Sequence, residues 1–338
     1  MCAVKTSLTE IDTITLKKIM GEIRRQIPVG KNHNKDAQDE SLMPFVSSIT
    51  SQKNKAPFVG DLPIVNSQYS SALKQIGTLG GGNHFIEIQK GSDGHIWIMI
   101  HSGSRNLGKQ VADHYNNIAK ELNKKWYSQV PKEWDLAFLP IDSEEGQAYI
   151  REMNYCVDFA LANRKLMMNR ICKIFLDIIP VHDDGFNHHD WMNGVVPSFF
   201  YDQINIAHNY ARMENHFGHN VMVHRKGATL AQNGTIGIIP GSQGSKSYIV
   251  KGLGNIHSFQ SCSHGAGRML GRKQAVATLN LADEIKKLDD MGVIHGIRNQ
   301  ADLEEAASAY KNIDEVMAAQ SDLVEIMVEL TPLAVVKG

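Results

Sequence analysis

Cysteine is scarce: four occur in 338 residues (Cys2, Cys156, Cys172 and Cys262), and no two form a C-x-x-C pair. A disulfide framework and an all-cysteine zinc site are therefore excluded, and reduced thiols are expected. No apolar run reaches the roughly 18 residues of a membrane span, and the start carries no basic-then-apolar leader, so a cytoplasmic location away from membranes is expected. An excess of one charge is also missing, since 35 Lys and Arg against 36 Asp and Glu leave a net charge of −1. Any phosphate partner must then be held by a local basic site. The chain has no P-loop, no G-x-G-x-x-G fingerprint, no G-x-S-x-G elbow, no internal repeat and no stacking platform of RRM type.

Histidine is abundant, with 15 residues. It is both the commonest metal ligand and the proton carrier of neutral pH, so the positions of these residues matter. Apolar periodicity predicts a helix over Thr13 to Gln26, one near Gln110 to Lys125, and a longer one after the Asp142-Ser143 cap. The polar stretch from Gly30 to Pro57 reads as a surface excursion, and the His- and Asp-rich run from Val181 to Asp190 as a solvated loop. Strands are expected at His84 to Gln89, His95 to Ile100, Asn220 to His224, Thr235 to Ile239 and Ser247 to Val250. Helices are expected from about Gly267 to Lys287 and from Asp302 to Leu330. One α+β domain over residues 1–338, with a helical insertion at about 107–215, is the simplest organisation.

The first two strands flank Gly91-Ser92-Asp93-Gly94, the chemistry of a hairpin with a four-residue loop. Pairing Lys90 with His95 would set His84 opposite His101, Ile86 opposite Met99 and Ile88 opposite Trp97. Two imidazoles would then share one face, within reach of a single cation. Glycine-rich backbone surrounds both histidines (Leu79 to Asn83, and Ser102 to Arg105) and would let N–H groups approach an anion closely.

Three further segments carry chemistry. Val223-His224-Arg225-Lys226-Gly227 delivers a histidine followed by two cations, and Pro240 to Ser247 is a loop rich in hydroxyl and glycine donors. Ser261-Cys262-Ser263-His264-Gly265-Ala266-Gly267-Arg268 sets an imidazole before a helix expected near Gly267, which suits a phosphorylated or nucleotidylated histidine. A Ser/Cys–His triad is disfavoured by the missing elbow.

Taken in order, GGGNHFIE (80–87), HSGSRNLG (101–108), VHRKGAT (223–229), IPGSQGSKSY (239–248), SCSHGAGR (261–268) and the terminal VVKG closely resemble the RtcB family of GTP-dependent RNA ligases. The resemblance runs from the first residue to the last. It implies an α+β catalytic domain with a mixed β core, glycine-rich loops and surrounding helices. The implied reaction joins an RNA 3′-phosphate or 2′,3′-cyclic phosphate end to a 5′-hydroxyl end, as in tRNA splicing or RNA repair, using GTP and two Mn²⁺ ions. His264 would accept GMP and Arg268 would bind substrate or phosphate. His84, His101 and His224 would be metal ligands, with Asn83 against the phosphates. Glu87, Ser242, Tyr310 and Lys337 would form the guanine pocket. Phe85, Ile86, Arg225, Pro240, Gly241, Gln243, Ser247, Gly265, Ala266 and Gly267 would line the nucleotide, and an activating protein is a further partner to consider.

The family's D-x-G-C-G-M motif, with an aspartate and a metal-bridging cysteine, is represented here only by what looks like its methionine, Met1. Cys2 lies on the wrong side of Met1 to be that ligand. An incomplete reading frame is the favoured explanation, beside a fragment completed by a second chain. The competing function is a non-catalytic relative that binds GTP or RNA. A two-metal hydrolase is disfavoured because Glu87 is the one carboxylate in these motifs.

Overall fold

The computed structural model describes residues 1–45, 62–179, 199–201 and 203–338. The Val181 to Asp190 loop and part of the Gly30 to Pro57 excursion lie outside the described residues. The strands are β1 (Cys2–Lys5), β2 (Phe85–Gly91), β3 (Ile96–His101), β4 (Ile204–Asn205), β5 (Asn209–His216), β6 (His219–Lys226), β7 (Ala228–Leu230), β8 (Ile236–Ile239), β9 (Ser247–Gly252), β10 (Ser261–Ser263) and β11 (Val324–Lys337). The helices are α1 (Thr13–Gln26), α2 (Pro63–Gln75), α3 (Arg105–Lys125), α4 (Glu144–Ile178), α5 (Arg272–Thr278), α6 (Leu281–Asp290) and α7 (Ile313–Ala318).

The class is α+β, as expected. Seven strands form a sheet in the order β4-β1-β3-β2-β11-β9-β8, with antiparallel ladders between neighbours. Alternation along β2 and β3 sends Ile86, Ile88, Ile98 and Ile100 to one face. There they meet Leu16, Ile19, Met20 and Ile23 of α1 and Met167, Met168, Ile171 and Phe175 of α4. Phe85, Trp97 and Met99 point to the other face and pack with Ile238, Ile249, Val335 and Leu288 of α6. The sheet is thus covered on both sides, and the site forms where one of its ends meets the glycine loops.

Local chemistry explains the long helices. The Asp12 carboxylate accepts from Ile14 N and Thr15 N at 2.9 and 3.0 Å, capping α1, whose last turn holds Arg24 and Arg25. Ser143 caps α4 by accepting from Gly146 N at 3.0 Å, with Glu144 and Glu145 in the first turn. At 35 residues, α4 is about 52 Å long and reaches from the α2–α3 layer to the sheet.

Four expectations need correction. The β2–β3 loop is one residue shorter than read: Gly91 N donates to His95 O at 2.8 Å, and Gly94 takes the left-handed conformation (φ 83°) that closes a three-residue loop. Phe85 therefore pairs with His101, Ile86 with Ile100 and Ile88 with Ile98. Within the span 107–215, helix ends at Ile178 among the described residues, and Ile204–Asn205 and Asn209–His216 are strands. The helix expected near Gly267 starts at Arg272, because Gly267 is left-handed (φ 75°) and Arg268 forms a bridge with Tyr310. Residues Val324 to Leu330 are strand: Val324, Ile326, Val328 and Leu330 recur with a period of two, and β11 runs between β2 and β9 with Pro332 at a bulge.

One buried amide ties the helices to the loops of the site. Asn163 of α4 accepts from Gly77 N (2.7 Å) and Thr78 N (3.2 Å) and donates to Thr78 O (3.2 Å), Ser102 Oγ (3.2 Å) and Gly103 O (3.1 Å). Asn163→Ala removes the partner of the buried Gly77 and Thr78 amides, and is expected to lower the unfolding free energy by about 2–4 kcal/mol in urea titrations. A change below about 0.5 kcal/mol would refute this role.

Candidate active site

His101 ends β3 on the face that carries Phe85 and Met99, and its ring meets Phe85 edge-on at 5.4 Å. His264 follows β10, and its Nε2 lies 3.3 Å from His101 Nε2. His208, between β4 and β5, stacks on His264 with centroids 4.2 Å apart and planes 8° from parallel. The ligand nitrogens of His101, His208 and His264 all lie within 4.8 Å of one another. His84 joins from the glycine loop, 5.7 Å from His101 between ring centroids. Although it sits just before β2 rather than opposite His101, the loop still brings the two together. The Met1 nitrogen is 3.3 Å from His208 Nδ1, so β1 leaves from the edge of the cluster.

Burial makes these rings weak bases. It lowers His84 to about 4 and His264 to about 3. His101 and His208 are held well below the usual value, first by burial and then by neighbouring charges and imidazoles. Neutral imidazole is the form that ligates a metal or attacks phosphorus. The Nδ1 atoms of His84, His101 and His264 are buried without a hydrogen-bond partner. Neutral imidazoles that each bring a ring nitrogen to one point, as His101 and His264 do through Nε2, fit a divalent transition-metal ion, and the residues that can hold it are His101, His208 and His264, with His84 alongside.

His224 is not part of this group. It is exposed on β6, where its Nδ1 lies 3.0 Å from Met222 O, and it lines the same cleft as His208. Cys2 is buried on the α4 side of the sheet, its Sγ accepting from Gln203 at 2.7 Å.

The expected nucleotide residues gather on the same end of the sheet. Lys337 pairs with Phe85 across β11 and β2, its Nζ 5.5 Å from the ring centroid, and Glu87 pairs with Val335. Burial raises the Glu87 carboxyl to about 8 against the pull of Lys337 and Gln89, and lowers Lys337 to about 8. Gln89 donates to Glu87 at 2.7 Å and to Ser247 Oγ at 3.2 Å, and Ser247 Oγ accepts from Gly241 N at 3.2 Å. Ser245 closes that loop on Ser242, while Gln243 donates to Glu305 O at 3.1 Å. Gly265 packs on Pro240, where a Cβ would approach Pro240 O to 2.9 Å. Ala266 is buried beside it, and Asn83 stands exposed on the glycine loop.

Three expected contributors are otherwise engaged. The Ile86 side chain is fully buried on the opposite face of the sheet and cannot reach this end. Arg225 is buried with both Nη atoms on Glu214 (2.6 and 2.9 Å) and its Nε on Ser261 Oγ at 3.0 Å. Arg268 donates to Leu270 O (3.0 Å), Glu305 Oε2 (2.7 Å), Tyr310 OH (3.2 Å) and Glu304 O (2.6 Å), so its guanidinium serves as a strut.

Sequence reasoning missed His208 and Glu305. His208 lies in Ile206-Ala207-His208-Asn209, without a glycine or cation to draw notice. Glu305 is 2% exposed and accepts from Arg268, from Arg272 Nε at 2.7 Å and from the Tyr310 hydroxyl. Burial alone would raise its carboxyl, but the bonds from Tyr310 and Arg272 hold it below the usual range. One carboxylate thus fixes three side chains drawn from the segments around His264 and Tyr310.

The fold and its centre define an α+β protein built around a largely buried three-histidine candidate metal site, with His101 and His208 buried and His264 half-buried, fenced by glycine loops. The family model described as tRNA-splicing ligase RtcB matches residues 1–338, and the chain belongs to the RtcB family. RNA-splicing ligase RtcB of Escherichia coli (strain K12) is 38% identical over 268 residues, covering 78% of this chain and 62% of that protein. The RNA-splicing ligase RtcB of Mycobacterium tuberculosis is 33% identical over 301 residues (79% and 65%). The tRNA-splicing ligase RtcB of Methanococcus maripaludis is 29% identical over 391 residues (99% and 79%). The chain thus spans 62% of the length of the E. coli relatives it matches.

The neutral packing of the histidines predicts acid sensitivity. An unfolded chain protonates imidazole near about pH 6.5, whereas burial keeps His84 and His264 neutral to about 4 and about 3. The unfolded state binds more protons between those limits, so stability falls as pH drops below about 6.5, by up to about 1.4 kcal/mol per pH unit for each ring. Urea titrations from pH 7.5 to 5 are expected to give a shallower loss for His84→Gln than for the parent, and equal slopes would refute the assignment.

Proposed function

We propose that this chain carries the nucleotidyl-transfer centre of an RNA ligase, which uses GTP and Mn²⁺ to join 3′-phosphate or 2′,3′-cyclic phosphate ends to 5′-hydroxyl ends. The observation that carries this reading is His264, a neutral ring set against His101 and His208 beside the donor-rich segments. A neutral imidazole nitrogen has the lone pair needed to attack the α-phosphorus of GTP. The new P–N bond replaces the P–O bond to pyrophosphate, which leaves. A 2′,3′-cyclic phosphate is first opened by water, which breaks its P–O2′ bond and leaves a 3′-phosphate; the RNA 3′-phosphate then takes GMP from the histidine, and the 5′-hydroxyl displaces GMP as the new phosphodiester forms.

With His264 reserved for the attack on phosphorus, His101 and His208, with His84, are the residues to hold a metal, which would neutralise charge on phosphate oxygens. Glu87 and Lys337 provide a buried acceptor and donor suited to a guanine edge. Tyr310 is held ready by Glu305 and Arg268, and Ser242 stands in the adjoining loop. Phe85 provides a ring wall, and the Pro240 to Gln243 and Gly265 to Gly267 segments provide backbone that can approach the phosphates closely.

Incubation of the chain with Mn²⁺ and α-labelled GTP is expected to leave acid-labile GMP on the protein, and His264→Ala to abolish the label. Equal labelling of both removes His264 from the reaction, and an unlabelled parent counts against nucleotidyl transfer by this chain. Calorimetric titration tests the metal assignment separately. His101→Ala and His208→Ala are expected to weaken Mn²⁺ binding by about tenfold or more, and His224→Ala to leave it within about twofold. The reverse order would restore His224 as a ligand.

A further inference from the structure

We infer that the cleft between the β5–β6 ribbon and helices α3 and α4, together with the outer face of that ribbon, binds a single strand of RNA. The choice of RNA as occupant rests on the ligase reading, whereas the location rests on the structure. The cleft measures about 380 Å³, and His208 is among the residues that line it. Among the described residues that line it there is no aspartate or glutamate; Arg225 is neutralised by Glu214 and burial keeps His208 neutral, so Lys226 and Arg164 supply its positive charge, with His224 beside them. In a chain of net charge −1, a cleft bare of carboxylates is a local basic site of the kind that a phosphate backbone requires.

The ribbon carries this character outward. Its register pairs Asn209 with Lys226, Ala211 with His224, Met213 with Met222, and Asn215 with Asn220, so these eight residues form one face. Amides, thioethers, an imidazole and an ammonium group are present there, and no acid. The one acid between residues 209 and 226, Glu214, lies on the other face, with its carboxylate bound to Arg225 and to His216 at 2.9 Å. Asn209, Met213, Asn215, Asn220, His224 and Lys226 are exposed. Large apolar side chains, which a protein partner would need at the centre of an interface, are limited on this face to the two methionines.

The far end of the ribbon offers rings. Phe217 is 58% exposed and Phe259 41% exposed, and they meet edge-to-face with centroids 5.8 Å apart. Both stand in the left-handed region (φ 53° and 52°), where glycine or asparagine is the ordinary choice. Phe217 with Gly218 forms the two-residue turn that joins β5 to β6. A strand of eight residues extends about 27 Å, which separates the phosphate-binding groups near the histidines from Phe217 at the tip; Phe259 backs Phe217 from the Glu214 face, its carbonyl accepting from Arg225 at 3.0 Å. Phosphate contacts position a strand, while bases stack on exposed rings without regard to sequence.

The test uses the full chain and a fluorescein-labelled, unstructured RNA with a 3′-phosphate and a 5′-hydroxyl, followed by anisotropy at 50 and 200 mM KCl. The parent is expected to bind, more weakly at the higher salt. Lys226→Glu, Asn220→Asp and Phe217→Ala are each expected to weaken binding about tenfold at the lower salt, with thermal midpoints within about 2 °C of the parent. Lys18→Glu, an equal charge reversal on the exposed side of α1, is expected to stay within about twofold. Ribbon variants that bind like the parent overturn the inference and leave the ribbon to a different partner, a protein included. Equal weakening by Lys18→Glu overturns it in favour of general charge attraction. A parent that is guanylylated but does not bind RNA overturns the inference alone, and a parent that does neither overturns the ligase reading with it.

Discussion

The antiparallel register of β2 on β3 is the constraint from which the centre follows. With Phe85 opposite His101, the last imidazole of β3 falls on the face shared by Phe85, Glu87 and Met99, and His84 drops off the strand into the glycine loop. A slip of one residue would send His101 into the face of Ile86 and Ile98, among the side chains of α1 and α4. The register is held twice, by Gly94 in the three-residue turn and by the alternation of isoleucines that must meet α4. Asn163 then fixes the two glycine-rich segments relative to that helix, so the rings converge on a frame that is already closed.

Much of this was legible in the sequence where the signal is local. The Ser143 cap, the periodicity of α1 and α4, and strands β6, β8 and β9 follow from short-range chemistry that packing does not override. The motifs around His84, His101 and His264 announced a site because glycine and cations cluster there. What was not legible depends on distance. His208 reaches the cluster only because β4 pairs with β1 at the sheet edge, and Glu305 matters only because Arg268, Arg272 and Tyr310 fold onto it. Arg225 read as a free cation because its partner, Glu214, stands across a ribbon whose pairing no short motif discloses. At β11 the period-two pattern was present, but its length and the preceding helical turns favoured a helix.

Charge is arranged by the same logic. Glu214 and Glu305 are spent inside the protein on arginines, and burial pushes Glu87 toward its neutral form. Carboxylates are thereby removed from the surfaces around the histidines, although the sequence holds as many acids as bases to within one residue. A protein that is nearly neutral overall can then present a field of one sign where the chemistry requires it, without becoming sticky toward polyanions elsewhere.

The position of β11 bears on how the molecule comes to be folded. This strand lies between β2 and β9, and its Glu329 N–H bonds to Ser92 Oγ across 237 residues of chain. Until it inserts, β2 and β9 have no common neighbour and both present open edges. Contacts of such separation require a large loop to close before they return any stabilisation, which makes folding slow. Lys337, at the end of the same strand, arrives with it. The end of the sheet that carries Phe85, His101 and Lys337 is therefore completed in the step that closes the sheet, and a partly folded chain that retains most of its helices would still lack it.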